Sequence, residues 1–253
     1  MNAALIVIAG IFIPLFPLSM VLNVALARVR HPIARGAIFL AWPQLGLALI
    51  HAAHVTVPSW MVVWALATSL LYALRALALR EVGLWAGFIA TSAFALLWLP
   101  VSHGTANASL ELYALAFSTP FVLLAILAAG LEHRFGAAYT GLYGGLACTL
   151  PRFSGVLVPV VLAAIGTPLF PAFFAMLAVF LTTKPAAATA LAAVWLLWSW
   201  AGTRLLQGLV SGPAEPSEAQ DLSLGSTWTY AAVLVVLVIG GFYLSAQLAG
   251  GAA

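Results

Sequence analysis

The sequence predicts an all-α integral membrane protein of about eight transmembrane helices, and three observations carry that prediction. Charged residues make up only 6% of the 253 residues, against 64% hydrophobic, whereas a soluble domain carries roughly 25% charged residues. Nine Lys and Arg and six Asp and Glu cannot wet the surface of a globule this long, so the outer surface faces lipid. The apolar residues also fall into stretches of about twenty, the length a helix needs to cross a hydrocarbon core. Finally, Lys and Arg collect in alternate connections between these stretches, as they do in multi-pass proteins.

The first stretch, 3–27, opens without the basic leader and small-residue cleavage site of a signal peptide, and is expected to stay as a span. Further spans follow at 36–56, 59–79, 82–102 and 109–131. Each should be helical, because backbone groups in lipid must be satisfied within their own segment. The sixth stretch, 153–181, is too long and too interrupted for one straight rod. It holds Pro159, Gly166-Thr167-Pro168 and Pro171, which remove donors and predict a discontinuous or sharply kinked helix. Spans at 186–209 and 227–249 complete the set, so residues 1–253 are expected to form a single transmembrane domain.

Orientation follows from the cations. One side holds Arg28, Arg30, Arg35, Arg80, Arg134 and Arg152, with Arg75 and Arg204 near it; the other holds Lys184, His51, His54 and His103. The basic side is expected to be cytoplasmic, in an inner membrane, with both termini outside. The polar loop Ser211–Ser226, with Glu215, Glu218 and Asp221, falls on the basic side too. No basic run exceeds Arg28-Val29-Arg30-His31, which argues against nucleic acid as a partner. A single cysteine, Cys148, excludes an internal disulfide framework and a multi-cysteine metal cluster.

Candidate chemistry is sparse. His51 and His54 share a helix face, and His103 ends a helix on the same side. Three imidazoles could hold a divalent metal, but no carboxylate or thiol joins them, so contact with water and headgroups is expected and no metal or cofactor is assigned. Glu111 sits near a helix N-terminus, where the macrodipole favours an acid; proton uptake is the alternative. Arg75 is expected to snorkel and pair with Glu81, and Arg204 either to snorkel or to meet a partner subunit's carboxylate. Trp42, Trp60, Trp64 and Trp228 fit an interfacial belt, and Trp195, Trp198 and Trp200 a packing face. With no nucleophile–base set, phosphate loop or paired carboxylates, the chain is not expected to be an enzyme by itself.

Residues 110–213 resemble a known family. The run "YGGLACTLPRFSGVLVPVVLAAIGTPLFPAFFAMLAVFL" carries Gly-Gly-Leu, a Pro-Arg pair opening a helix and an apolar run ending in Gly-x-Pro. Together with "AAVWLLWSWAGTRLLQGLVSGP" downstream and "AFSTPFVLLAILAAGLEHRFG" upstream, it is similar to the antiporter-like membrane subunits of complex I and multisubunit sodium/proton antiporters. Those relatives have about fourteen helices in two inverted repeats, each with a half-channel. Their buried His or Lys corresponds to Leu115 here, and the Glu or Lys after the Gly-x-Pro kink to Met176. Ionisable groups inside the bilayer are costly and kept for proton relays, so their replacement implies a shortened scaffold without its proton path. The resemblance thus implies an accessory, non-conducting subunit of a proton- or sodium-driven assembly of the complex I, antiporter or inorganic-carbon uptake kind. A larger antiporter-like subunit, and a soluble or peripheral one, would be its partners. The alternative is an independent small transporter, with a midplane site at the broken sixth helix drawing oxygens from Ser118, Thr119 and Thr167.

Overall fold

The structure is a computed structural model, and it describes residues 2–53, 57–141, 144–213 and 219–250. Among them the chain runs through α1 (Asn2–Phe12), α2 (Met20–Arg28), α3 (Pro32–Ala53), α4 (Ser59–Ala76), α5 (Val82–Ala95) and α6 (Trp98–Ser102). It continues through α7 (Asn107–Phe135), α8 (Leu146–Thr149), α9 (Pro151–Ala164), α10 (Pro171–Thr182), α11 (Pro185–Leu209) and α12 (Leu224–Gly250). Helices α9, α10 and α11 each open on a proline, whose missing N–H would be an orphan there in any case. Helix α7 ends at Gly136 with φ 77°, the left-handed closing residue that glycine adopts without strain.

The protein is an all-α membrane protein. Among the described residues six segments are long and apolar enough to cross a bilayer, with α5 and α6 together making one of them. The pairs α1/α2 and α9/α10 are two halves each of a further crossing. The break between α9 and α10 falls at Gly166–Leu169, where the prolines predicted it. The break between α1 and α2 corrects the expectation of an uninterrupted first span. Pro14 and Pro17 lie there and take two donors out of the helical ladder.

The bundle is built around α5 and the start of α6, where every residue from Ile89 to Pro100 is buried. Ala86, Gly87, Ala90 and Ala93 keep that helix slim, which lets α2, α4 and α7 pack closely against it. Helix α12 lies at the rim, packed on α10 and α9, with Val235, Val236 and Ile239 on its outer face. Crossings alternate, so the arginine-bearing ends of the helices gather at one end of the bundle. There Val82 N–H donates to the Ala138 carbonyl (2.9 Å), Thr140 N–H to that of Arg80 (2.7 Å) and Gly141 N–H to that of Gly208 (3.1 Å), joining α4, α5 and α11. Glu215 and Glu218 of the acidic loop lie outside the described residues. Asp221 accepts from the N–H groups of Arg152 (2.9 Å) and Phe153 (3.0 Å) and so caps α9 from 69 residues away.

Close approach at the second break depends on α12. A Cβ on Gly241 would stand 2.3 Å from the Leu169 carbonyl oxygen, a backbone atom that cannot swing aside. Gly241→Ala should therefore lower the thermal midpoint in detergent, at a cost of about 1–3 kcal/mol. Gly155→Ala, which meets nothing within 4 Å, should leave it unchanged or raise it by the helix-propensity gain of about 1 kcal/mol. Equal behaviour of the two variants would contradict the packing described.

Candidate functional site

The break between α1 and α2 exposes backbone groups in the middle of the bundle, and four side chains from three helices answer them. Trp42 on α3 donates its indole N–H to the Ile11 carbonyl (2.9 Å), Trp98 on α6 to Ile13 (3.0 Å) and Trp64 on α4 to Phe16 (2.7 Å). The Phe16 N–H donates to Thr68 Oγ1 at 3.1 Å. Trp42 therefore sits mid-helix, which corrects its assignment to an interfacial belt, whereas Trp64 is half-buried near the start of α4 and stacks on Trp60, with ring centroids 5.8 Å apart. Trp60 and Trp228 are exposed at 57% and 73%, as a belt requires.

A seam of neutral polar groups runs on from this break. Ser19 and Tyr72 share a hydrogen bond of 2.8 Å, both buried. Asn23 donates to the Ser19 carbonyl and to Thr91 Oγ1, each at 3.1 Å, and Thr91 donates to the Gly87 carbonyl at 2.7 Å. Deeper, Ser92 pairs with Ser69 (2.9 Å) and accepts from the Trp198 indole (2.9 Å). Trp198 is thus both a packing residue and a donor to the seam.

Between Asn23 and the arginine end lies a cavity of about 120 Å³, with Arg35, Phe39, Glu81, Gly83 and Gly87 in its wall. That volume is enough for several waters, and the amide and charges in its wall could partner them. Arg35 pairs with Glu132 (3.6 Å) and donates from Nε to the Val29 carbonyl at 2.6 Å. Burial pushes the Glu81 carboxyl above the ordinary range and nearby Glu132 pushes it further, while Arg35 and the Leu84 N–H pull it back. The expected pairing of Glu81 with Arg75 is not what forms. The Arg75 guanidinium lies over the Phe88 ring, 5.3 Å from its centroid. The arrangement is a charged mouth that ends on an amide and a run of hydroxyls.

The second break is closed by the same means. Trp195 donates to the Gly166 carbonyl (3.0 Å), and the Thr167 hydroxyl donates to that of Leu162 (3.0 Å). Gly166 has φ 68° and Leu169 φ 87°, so the turn holds a residue with a side chain in the left-handed region. Ser118 donates to the Ala114 carbonyl at 2.7 Å. Of the three hydroxyls proposed as ion ligands, only that of Thr119 is buried without a protein partner.

Other predicted residues are scattered. Met176 is fully buried in α10, whereas Leu115, at 40% exposure, faces out of the bundle, so the position matched to a buried His or Lys is not buried here. Helix α7 begins at Asn107, which puts Glu111 beyond its first turn and exposed, and weakens the macrodipole reading. Its backbone carbonyl accepts from Gln44 at 3.0 Å. His51 bonds to Asn107, His103 is exposed at the end of α6 and His54 lies outside the described residues. Among the described residues no group of three His, Cys, Asp or Glu stands close enough to hold a metal. Arg204 is exposed on α11.

The fold is shared with chains of respiratory complex I and of an Mrp complex. A chain of respiratory complex I from Thermus thermophilus with bound NADH superposes with a TM-score of 0.83 at 20% identity, over 95% of this chain and 54% of that one. A chain of the same complex with bound aureothin gives 0.68 at 16% identity, over 92% and 54%. A chain of the Mrp complex from Dietzia sp. DQ12-45-1b gives 0.64 at 19% identity, over 87% and 43%. This is the fold that the resemblance in residues 110–213 implied, here extending over nearly the whole chain. The chain spans about half the length of these solved chains. No protein-family model and no curated protein matches it.

The raised Glu81 carboxyl has a measurable consequence. A carboxyl that binds its proton more tightly when folded favours folding below the ordinary carboxylate range, and that contribution is lost as pH rises through the folded pKa. Thermal midpoints in detergent, taken from about pH 4 to about pH 8, should fall in the native protein relative to Glu81→Gln as pH increases. Parallel curves for the two proteins would contradict the assigned environment.

Proposed function

We propose that this chain is a membrane subunit of a proton- or sodium-driven complex in which it supplies scaffold and docking surface and no ion path. The observation that carries the reading is the placement of charge. Among the described helices, Lys, Arg, His, Asp and Glu lie only in the first or last turn or two. The helix middles between them offer indoles, hydroxyls and the amides of Asn23 and Gln44. Proton relays in membranes are built on ionisable groups inside the bilayer, and a seam of neutral hydroxyls lacks a site where charge can rest. The shared fold supports membership of such an assembly by analogy of architecture. The arginine end is assigned to the cytoplasm of an inner membrane and both termini to the other side, by the excess of Arg at that end. A larger antiporter-like subunit is the proposed neighbour, with a soluble or peripheral subunit on the arginine end.

Met176 separates an inherited shape from an inherited activity. A thioether neither binds nor releases a proton. In the assembled complex Met176→Leu should keep transport close to wild type, since volume-conserving apolar swaps cost under about 1.5 kcal/mol. Met176→Glu puts a charge at a fully buried position and should impair assembly, by about 2.5–3.5 kcal/mol on insertion scales. Loss of coupled transport in Met176→Leu with assembly intact would mean that the chain takes part in ion movement.

A further inference from the structure

Arg80 and Arg204 open onto one groove at the outside of the bundle. The groove, about 600 Å³, lies between the last turn of α4, the last turns of α11 and the Thr140–Gly141 turn, with Ala76, Leu77 and Leu205 as apolar wall. Its frame is fixed by the Thr140 N–H bond to the Arg80 carbonyl (2.7 Å) and the Gly141 N–H bond to the Gly208 carbonyl (3.1 Å). Gly208 is what lets the turn close. A Cβ there would stand 2.9 Å from the Thr140 Cβ. Among the described residues neither arginine has a carboxylate within ion-pair distance.

We propose that this groove is a binding site for an anionic phospholipid, with Arg80 and Arg204 holding the phosphate. The depth is right, because α4 ends at Ala76 and α11 at Leu209, so both guanidinium groups reach the headgroup level. The guanidinium fork matches phosphate oxygens, and basic pockets between membrane helices are where anionic headgroups bind. The surface leading up to the groove suits an acyl chain. Leu196, Trp200 and Arg204 follow one another at intervals of four on α11, and the first two are 71% and 60% exposed, so an apolar stripe runs along one helix face to the charge.

The full chain, purified in mild detergent and offered phosphatidylglycerol and phosphatidylcholine of matched acyl chains, tests the site by native mass spectrometry of retained lipid. The native protein should prefer phosphatidylglycerol roughly thirtyfold, the scale of two arginines near a surface phosphate. R80Q/R204Q should fall towards parity, R80K/R204K should keep most of the preference, and R28Q/R30Q, at the same end but away from the groove, should match the native protein. If R80Q/R204Q does not fold, the native protein's discrimination between the two lipids decides alone. Equal retention of the two lipids, or a preference that survives in a folded R80Q/R204Q, overturns the proposal. So does loss of the preference on adding inorganic phosphate, which would mark a small-anion site. Cross-linking of position 204 to a co-purifying subunit, without retained anionic lipid, would assign the groove to a protein carboxylate instead.

Discussion

Every backbone N–H and C=O held at bilayer depth must find a partner inside the protein, and two broken spans are where this chain meets that demand with side chains. An orphaned group in hydrocarbon costs several kcal/mol. At the first break the carbonyls of Ile11, Ile13 and Phe16 each take an indole N–H from a different helix. At the second, Gly166 takes one from α11. Tryptophan suits this task because it donates a single hydrogen bond from a large apolar body. The requirement organises the bundle: α3, α4 and α6 stand where their indoles reach the first break, and α5 passes through the space they leave.

That solution also bears on function. A discontinuous helix can be stabilised by ions or ionisable side chains drawn to its exposed ends, and a break held that way can also move charge. Here both breaks are closed with neutral donors, and Ser118 and Thr167 spend their hydroxyls on nearby carbonyls. Charge is kept to the helix ends, and at the arginine end Arg35, paired with Glu132, lines a small cavity together with Glu81. Behind it, Asn23, Thr91, Ser19 and Tyr72 form a hydrogen-bonded chain without a carboxylate, imidazole or amine. The fold of the solved chains is shared, and the two breaks in this one are closed with groups that hold structure.

The parts legible in the sequence were those with local causes. Gly166-Thr167-Pro168 and the prolines around it interrupt a run too long for one span, so the second break could be read directly. The first break has Pro14 and Pro17 but lies in a run of ordinary spanning length, so length concealed it. Asn23, an amide inside that run, was the available signal for a polar seam. Trp42 and Trp64 were unreadable because their acceptors lie 31 and 48 residues away, and an indole's partner is set by packing. Counting along a motif gave Leu115 an address but not a face, and that helix turns it outward. Glu81 was matched to Arg75, six residues away in sequence, whereas the fold brings it beside Arg35 from a different helix.

The central claim is that a seam of neutral groups gives no route for protons across this bundle. Proton uptake by liposomes containing the purified chain alone, under an imposed pH gradient with the membrane potential clamped, tests it most directly. The account predicts rates indistinguishable from protein-free liposomes at every protein density. A flux that rises with the amount of protein and is removed by Asn23→Leu, at the point where the cavity meets the seam, would contradict it.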